Sequence, residues 1–364
     1  MTVKEISKIL EQLAPLAHAE DFDNVGLLVG DPEMSVSGVL VTLDTLENVV
    51  DEAIAKKCNL IVSFHPIIFR GLKKVTGRNY VERVVIKAIA NNIAIYSMHT
   101  ALDNSKMGVN AKICQVLGIG NTEILIPKTQ TIKKLITYVP LADVEKVKSA
   151  LFDAGAGEIG KYSNCSFSVD GWGTFKAGEE AKPSVGKVGE VHKEAEVQLH
   201  VIFSFEKEPD ILNALFNAHP YEEVAYEIIV LQNTNQELGM GMVGTLDGAM
   251  EEKSFLEHVK KKMNAKVIRH SKLLGKKVER VAVLGGSGAF AISAAKQANA
   301  DVFITADVKY HQFFEAEDKI IIADIGHFET EQFTKDLLVD YLTEKIPNFA
   351  ISLSESNTNP IKYL

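Results

Sequence analysis

Gly38-Val-Leu-Val-Thr-Leu43, Asn59-Leu-Ile-Val-Ser63 and Ile93-Ala-Ile-Tyr-Ser97 are three apolar runs of strand length. The pieces between them, Leu46–Lys57 and Tyr80–Asn91, read as helices. A strand that is apolar without alternation must be covered on both faces. Such strands alternating with helices define an α/β fold built on a mostly parallel sheet. Upstream, Ile6, Ile9, Leu10, Leu13 and Leu16 recur at helical spacing, and the turn-rich Asp21-Phe-Asp-Asn-Val-Gly26 follows. The last third repeats the style, with strands at Val278–Leu284, Val302–Thr305 and Lys319–Ala323 and helices at Ala289–Ala298 and Glu329–Lys345. The matching style predicts one α/β domain from residues 1–127 and 237–364.

Residues 128–236 differ in texture. Lys133–Tyr138 reads as a strand, Leu141–Ala154 as a helix, Ser166–Val169 and Val197–Phe205 as strands, Pro209–Ala218 as a helix and Ala225–Leu231 as a strand. That order predicts an inserted ferredoxin-like α+β domain. Gly171–Lys193 reads as a long hairpin excursion. Asn217-Ala-His-Pro-Tyr-Glu-Glu-Val224 is a dense polar patch, read as structural or as an interface.

The chain has 364 residues, 46% hydrophobic and 24% charged, enough to bury a sizeable core and outside the range of disordered chains. Its net charge of −9 argues against a nucleic-acid phosphate track. Three scattered cysteines, Cys58, Cys114 and Cys165, fit a reducing compartment and exclude a Cys-rich zinc module. No signal-like start and no apolar run of about 18 residues is present, so a soluble cytoplasmic protein without a membrane partner is expected.

Open parallel sheets place ligands outside the carboxyl ends of their strands. Here those ends carry Asp44, Ser63-Phe-His65-Pro, Ser97-Met-His-Thr-Ala-Leu-Asp103, Gly285-Gly-Ser-Gly288, Thr305-Ala-Asp307 and Gly326-His-Phe-Glu-Thr-Glu331. His327 and Glu331 stand at i and i+4, one turn apart on a helix face. Alone they would form an ordinary surface pair. Together with His65 and Asp103 they make a candidate set of metal ligands, and imidazole with carboxylate suits Zn, Mn, Fe or Co. His99 reads as a proton carrier, in a loop with Asp103. Gly285, Gly286, Ser287 and Gly288 read either as a phosphate cradle or as a plain tight turn, and His311 as a polar group for substrate.

Phe22-Asp-Asn-Val-Gly-Leu-Leu28, Ser63-Phe-His-Pro-Ile-Ile-Phe69, His99-Thr-Ala-Leu-Asp103, Gly285-Gly-Ser-Gly288 and Gly326-His-Phe-Glu-Thr-Glu331, in this order, resemble the Nif-three-like family, whose bacterial members are often labelled GTP cyclohydrolase I type 2 homologues. The insert is similar to the PII/CutA-like domain of the longer members. The resemblance implies a two-lobed α/β domain, two divalent metal ions per chain between the lobes, and a hexameric ring of dimers. Carried over by motif, the ligands are His65, Asp103, His327 and Glu331. One position departs: many members have two adjacent histidines before the proline, and here the first is Phe64, which weakens the case for full occupancy by the second metal.

Two functions of different class follow. One is a metal-dependent hydrolase acting on a nucleotide or other phosphorylated heterocycle, with GTP ring opening as the named candidate, Glu331 and His99 in catalytic roles and Gly285–Gly288 at the phosphate. The other is a non-enzymatic, ring-forming metal-binding regulator or scaffold whose insert docks a partner.

Overall fold

The computed structural model describes residues 1–364. The chain forms two compact units, one from Met1–Pro127 with Gln236–Leu364 and the other from Lys128–Asn235. No helix is long and apolar enough to cross a membrane.

The first unit holds two sheets. In one, the strands lie in the order Gly26–Val29, Ala94–Ser97, Leu60–Ser63, Val39–Thr42, Ile351–Leu353. Its three central strands are parallel and in register, with Val39 opposite Leu60 and Leu60 opposite Ala94. All three are buried along their whole length. Their side chains alternate between two cores. Leu40, Ile61 and Ile95 pack with Val49, Val50 and Ala53 of the helix Glu47–Ala55 and with Val84, Val85 and Ala88 of the helix Tyr80–Ala90. Val39, Val41, Leu60, Val62 and Tyr96 face the other way, onto Val3, Ile6 and Leu10 of the helix Val3–Leu13. Each such buried side chain contributes roughly 1.5–3 kcal/mol, which is why the runs carry no polar alternation. Thr2 caps the first helix in a capping box with Glu5.

The second sheet runs Arg269–His270, Ile321–Asp324, Val302–Ala306, Lys277–Ser287, Asn235–Glu251, Ile119–Lys128. Its centre is parallel, but Arg269–His270 pairs antiparallel with Ile321–Asp324 and Asn235–Glu251 antiparallel with Lys277–Ser287. The expectation of mostly parallel sheets is therefore corrected here to a mixed sheet. Antiparallel neighbours need no helical crossover, so strands adjoining the insert's two connections can extend this sheet directly. One core cluster joins residues of the first and last thirds, among them Val41, Tyr96, Leu102, Val281, Ile304, Ala323 and Leu338.

The unit Lys128–Asn235 is a four-stranded sheet ordered Ser166–Lys176, Val191–Ser204, Ile132–Pro140, Tyr226–Leu231, with antiparallel neighbours throughout. Numbered along the chain this is 2-3-1-4, in a strand–helix–strand–strand–helix–strand connection. Val147 and Leu151 of the helix Val144–Asp153 and Ile211 and Leu215 of the helix Glu208–Ala218 pack with Leu135, Val139, Leu199 and Phe203. Phe167, Val169 and Trp172 are exposed.

Candidate metal centre

Register places the site. Thr42, Ser63 and Ser97 are aligned across three parallel strands, and the ladder continues past them, with the His65 N–H donating to Leu43 O (3.0 Å) and the His99 N–H to Phe64 O (2.9 Å). Asp44, His65 and His99, each two residues beyond a strand end, therefore stand side by side. Strands lie about 4.8 Å apart, and the His65 and His99 ring centroids are 5.3 Å apart.

The second sheet supplies the rest. Asp307 follows the strand Val302–Ala306, and the five-residue helix His327–Glu331 follows Ile321–Asp324. His65 Nε2 and His327 Nε2 each lie 3.2 Å from Glu331 Oε2. The ligand atoms of these three residues all fall within 4.8 Å of one another, close enough for one ion to meet all three. The opposite ring nitrogens are held by carboxylates: His65 Nδ1 by Asp44 Oδ1 at 2.8 Å and His327 Nδ1 by Asp307 Oδ2 at 2.7 Å. That arrangement turns each Nε2 lone pair inward and raises its basicity, as carboxylate–histidine pairs do behind metal ligands. Asp103 lies on a second short helix, His99–Asp103, and its Oδ1 is buried with no hydrogen-bond partner.

The same contacts shift the titration of these groups. Burial pushes the Glu331 carboxyl up, but His327 and His65 beside it hold it at about 2. Burial pulls the His65 imidazole down, yet Asp44 and Glu331 raise it to about 10. His327 is likewise lowered by burial and raised by Glu331 and Asp307, to about 9. Asp103 is driven well above the carboxylate range by burial and then by the charge of Glu331. Without a metal, protons on the imidazoles and on Asp103 balance the carboxylates. A divalent cation would take over that role, so the donor set fits one.

Other expected residues fall into place differently. His99 does not meet Asp103. Its Nδ1 bonds Asp23 Oδ1 at 2.7 Å, and the Asp23 carboxyl also accepts from the Thr100 N–H and hydroxyl. Burial raises Asp23, but these bonds win and bring it to about 2. His99 and Asp103 were expected in a loop; they belong to a helix with the same i, i+4 spacing as His327 and Glu331.

In the Gly285–Gly288 stretch, the Gly285 N–H donates to Asn110 Oδ1 (3.0 Å) and the Gly286 N–H to Thr330 Oγ1 (2.9 Å). Those two amides are spent inside the protein. Gly286 has φ +67°, and a Cβ there would lie 2.4 Å from Glu331 Oε1, so this glycine makes room for the carboxylate. Ser287 is exposed, and its hydroxyl donates to Asp307. His311 is exposed on the helical turn Tyr310–Ala316, its ring against Tyr310 and Phe314. Phe64 is fully buried, with its ring centroid 4.9 Å from that of His65 and 5.5 Å from that of His99.

Asp23, Asp44, Asn110 and Thr330 carry supporting roles that sequence reading did not assign. The strand-end rule already put Asp44 at the site edge, at the same offset as His65 and His99, but without a role. Asp23 sits in the Phe22–Leu28 motif, which marked the family without giving this residue a role, and Asn110 reaches the site from a distant segment with no comparable signal.

The fold is that of an α/β protein in which a His–carboxylate group lies within metal-binding distance. The family described as Duf34/NIF3 (NGG1p interacting factor 3) matches residues 1–360, and the chain belongs to it. It is 40% identical over 367 residues to a Bacillus subtilis protein named GTP cyclohydrolase 1 type 2 homolog, covering 99% of this chain and 98% of that one. A Halalkalibacterium halodurans protein of the same name is 35% identical, with 99% and 98% covered. Among solved structures, a Bacillus cereus protein related to NIF3 superposes with a TM-score of 0.86 at 37% identity, covering 100% of this chain and 99% of that one.

Proposed function

We propose that this protein is a metal-dependent hydrolase acting on a nucleotide or similar phosphorylated heterocycle, with GTP ring opening the first candidate because relatives such as the Bacillus subtilis protein are named GTP cyclohydrolase 1 type 2 homologs. The observation that carries the reading is the convergence of His65, His327 and Glu331 within 4.8 Å, with carboxylates behind both imidazoles.

A divalent ion held there supplies Lewis acidity and an acidified water. His65, His327 and Glu331 would hold it, and Asp103 would offer a further carboxylate for a second ion. Phe64 brings no donor, so if two ions bind per chain the second would be the weaker. Asp44 and Asp307 fix the imidazole orientations. Ionised Asp23 keeps the His99 proton on Nδ1, which leaves Nε2 to accept a proton from water and return it to a leaving group. With the Gly285 and Gly286 amides spent internally, the phosphate contact narrows to the Ser287–Gly288 end, and His311 is proposed as an outlying contact.

The second reading is a hexameric metal-binding regulator or scaffold. It is favoured by the strand–helix–strand–strand–helix–strand insert, which we read as PII/CutA-like, a domain type suited to sensing and assembly.

Metal analysis of the purified protein and of Glu331→Gln, with turnover of GTP and related phosphorylated heterocycles followed by chromatography, separates the two. Metal with turnover that the variant loses supports the hydrolase. Metal without turnover of any compound, together with chelator-induced loss of the oligomer, supports the regulator. Absence of metal overturns both.

A further inference from the structure

The unit Lys128–Asn235 contains a cavity of about 540 Å³, within the range of small-molecule sites. It lies between the strand Ser166–Lys176, the segment that follows it, and Tyr221–Ala225. Four aromatic side chains line it: Tyr138, Trp172, Phe175 and Tyr221. Four carboxylates line it as well: Asp170, Glu196, Glu222 and Glu223. The lining includes no lysine, arginine or histidine.

Its floor is built and held. The His219 Nε2–H donates to Tyr138 O (3.0 Å) while Nδ1 accepts from the Tyr221 N–H (3.1 Å), so both ring nitrogens are used and Tyr221 is fixed. Burial, the larger effect, lowers the His219 pKa, which keeps this clamp neutral. The Tyr221 hydroxyl donates to Glu196 Oε1 at 2.7 Å. Glu196 is 8% exposed, and only Oε1 is bonded to a protein partner. A Cβ at position 173 would lie 2.1 Å from Glu196 Oε2, so a side chain there would displace that carboxylate from its present place.

A cavity walled by aromatic rings and four carboxylates, with the free Oε2 of a mostly buried Glu196 open to incoming ligand, favours a positive charge. Aromatic faces provide a second attraction for the same charge. One of these rings already carries a cation: Lys193 Nζ sits 4.5 Å from the centroid of Trp172. We propose that this cavity is a binding site for a small organic cation, an ammonium group on an apolar body, with Glu196 pairing the charge and Trp172, Phe175 and Tyr221 enclosing the body. The inference does not depend on the metal centre, which is built wholly from residues of the other unit.

The test uses a reporter the chain already has, because Trp172 is its single tryptophan. The full-length protein is titrated with choline and with its uncharged carbon isostere, 3,3-dimethylbutan-1-ol, following tryptophan fluorescence and calorimetric heat. Choline is expected to saturate, and the isostere to bind roughly tenfold more weakly or worse, the share expected of a charge-assisted contact. Glu196→Gln keeps the acceptor for Tyr221 and is expected to weaken choline by a similar factor while leaving the isostere unchanged. That second result rules out misfolding as the cause. Trp172→Phe, read by heat alone, is expected to retain choline binding. Equal affinity for choline and isostere overturns the proposal, as does unaltered choline binding in Glu196→Gln. Absence of any saturable signal up to about 10 mM, weaker than the millimolar limit of useful recognition, also overturns it. So does binding of a lysine-rich peptide without choline, which would make the cavity a protein-docking site.

Discussion

Two five-residue helices, His99–Asp103 and His327–Glu331, carry the same histidine–carboxylate spacing, and each follows a buried parallel strand. They are wired differently. His327 points Nε2 at its own Glu331, 3.2 Å away, and is braced by Asp307. His99 turns from Asp103 to Asp23, and Asp103 keeps a buried oxygen without a partner. The i, i+4 spacing therefore makes a ligand pair possible and does not create one. What decides is which third residue the fold brings to the other ring nitrogen. On this contrast, we propose that the His327 helix would hold the ion, whereas the His99 helix would divide its work between proton transfer and a supporting carboxylate.

The sharpest way to break the comparison is to remove the shared carboxylate. Glu331→Gln is expected to lower metal affinity by at least roughly a hundredfold, the upper end of what loss of a mere supporting partner causes, as read by competition with a chromogenic chelator. Next comes the histidine pair. His327→Ala is expected to lose metal, while His99→Ala keeps its metal content and loses about 10²–10⁴ in turnover of whichever substrate is found. Equal metal loss in the two variants would erase the distinction drawn here. Asp44→Asn and Asp307→Asn are expected to weaken the metal by about 10–100-fold, and Asp23→Asn to leave it unchanged.

The smallest effect is a pH dependence of the metal-free protein. The native imidazoles of His65 and His327 titrate at about 10 and 9 against an ordinary 6.5, so their pairing stabilises fully below 6.5 and is lost as pH rises through 9–10. Glu331, held at about 2 against 4.5, stabilises above 4.5 and is lost as pH falls toward 2. The apo protein is therefore expected to be most stable between about pH 4.5 and 6.5 and to melt at lower temperature by pH 10. Binding of the ion must release protons over the same alkaline-side range, so affinity rises with pH. Calorimetry in buffers of different ionisation enthalpy would count those protons. A melting temperature independent of pH from 6.5 to 10 would contradict the pairing.

Much of the fold was legible in residue order, and the reasons are physical. The runs around Leu40, Ile61 and Ile95 are covered on both faces, so burial left them no polar positions to hide the pattern. The strand Asn235–Glu251 was not legible, because Gly239, Gly241, Gly244 and Gly248 interrupt any apolar alternation. The charged helix Glu252–Lys262 escaped similarly, burying only Glu252, Phe255, Leu256 and Val259. Of the site, the residues directly after parallel strands were visible as a set, since chain direction alone puts them at one edge.

By itself, then, the sequence determined the parallel α/β core, the clustering of His65, His99, Asp103, His327 and Glu331 at strand ends, and the family that these motifs mark. Those follow from local burial and from chain direction. Only the tertiary structure decided which imidazoles share Glu331, that Gly286 makes room for that carboxylate while its amide is spent on Thr330, and that Glu196 shares a cavity with aromatic side chains in the other unit. Each of those outcomes depends on contacts between residues far apart in the chain, for which spacing along a single strand or helix carries no information.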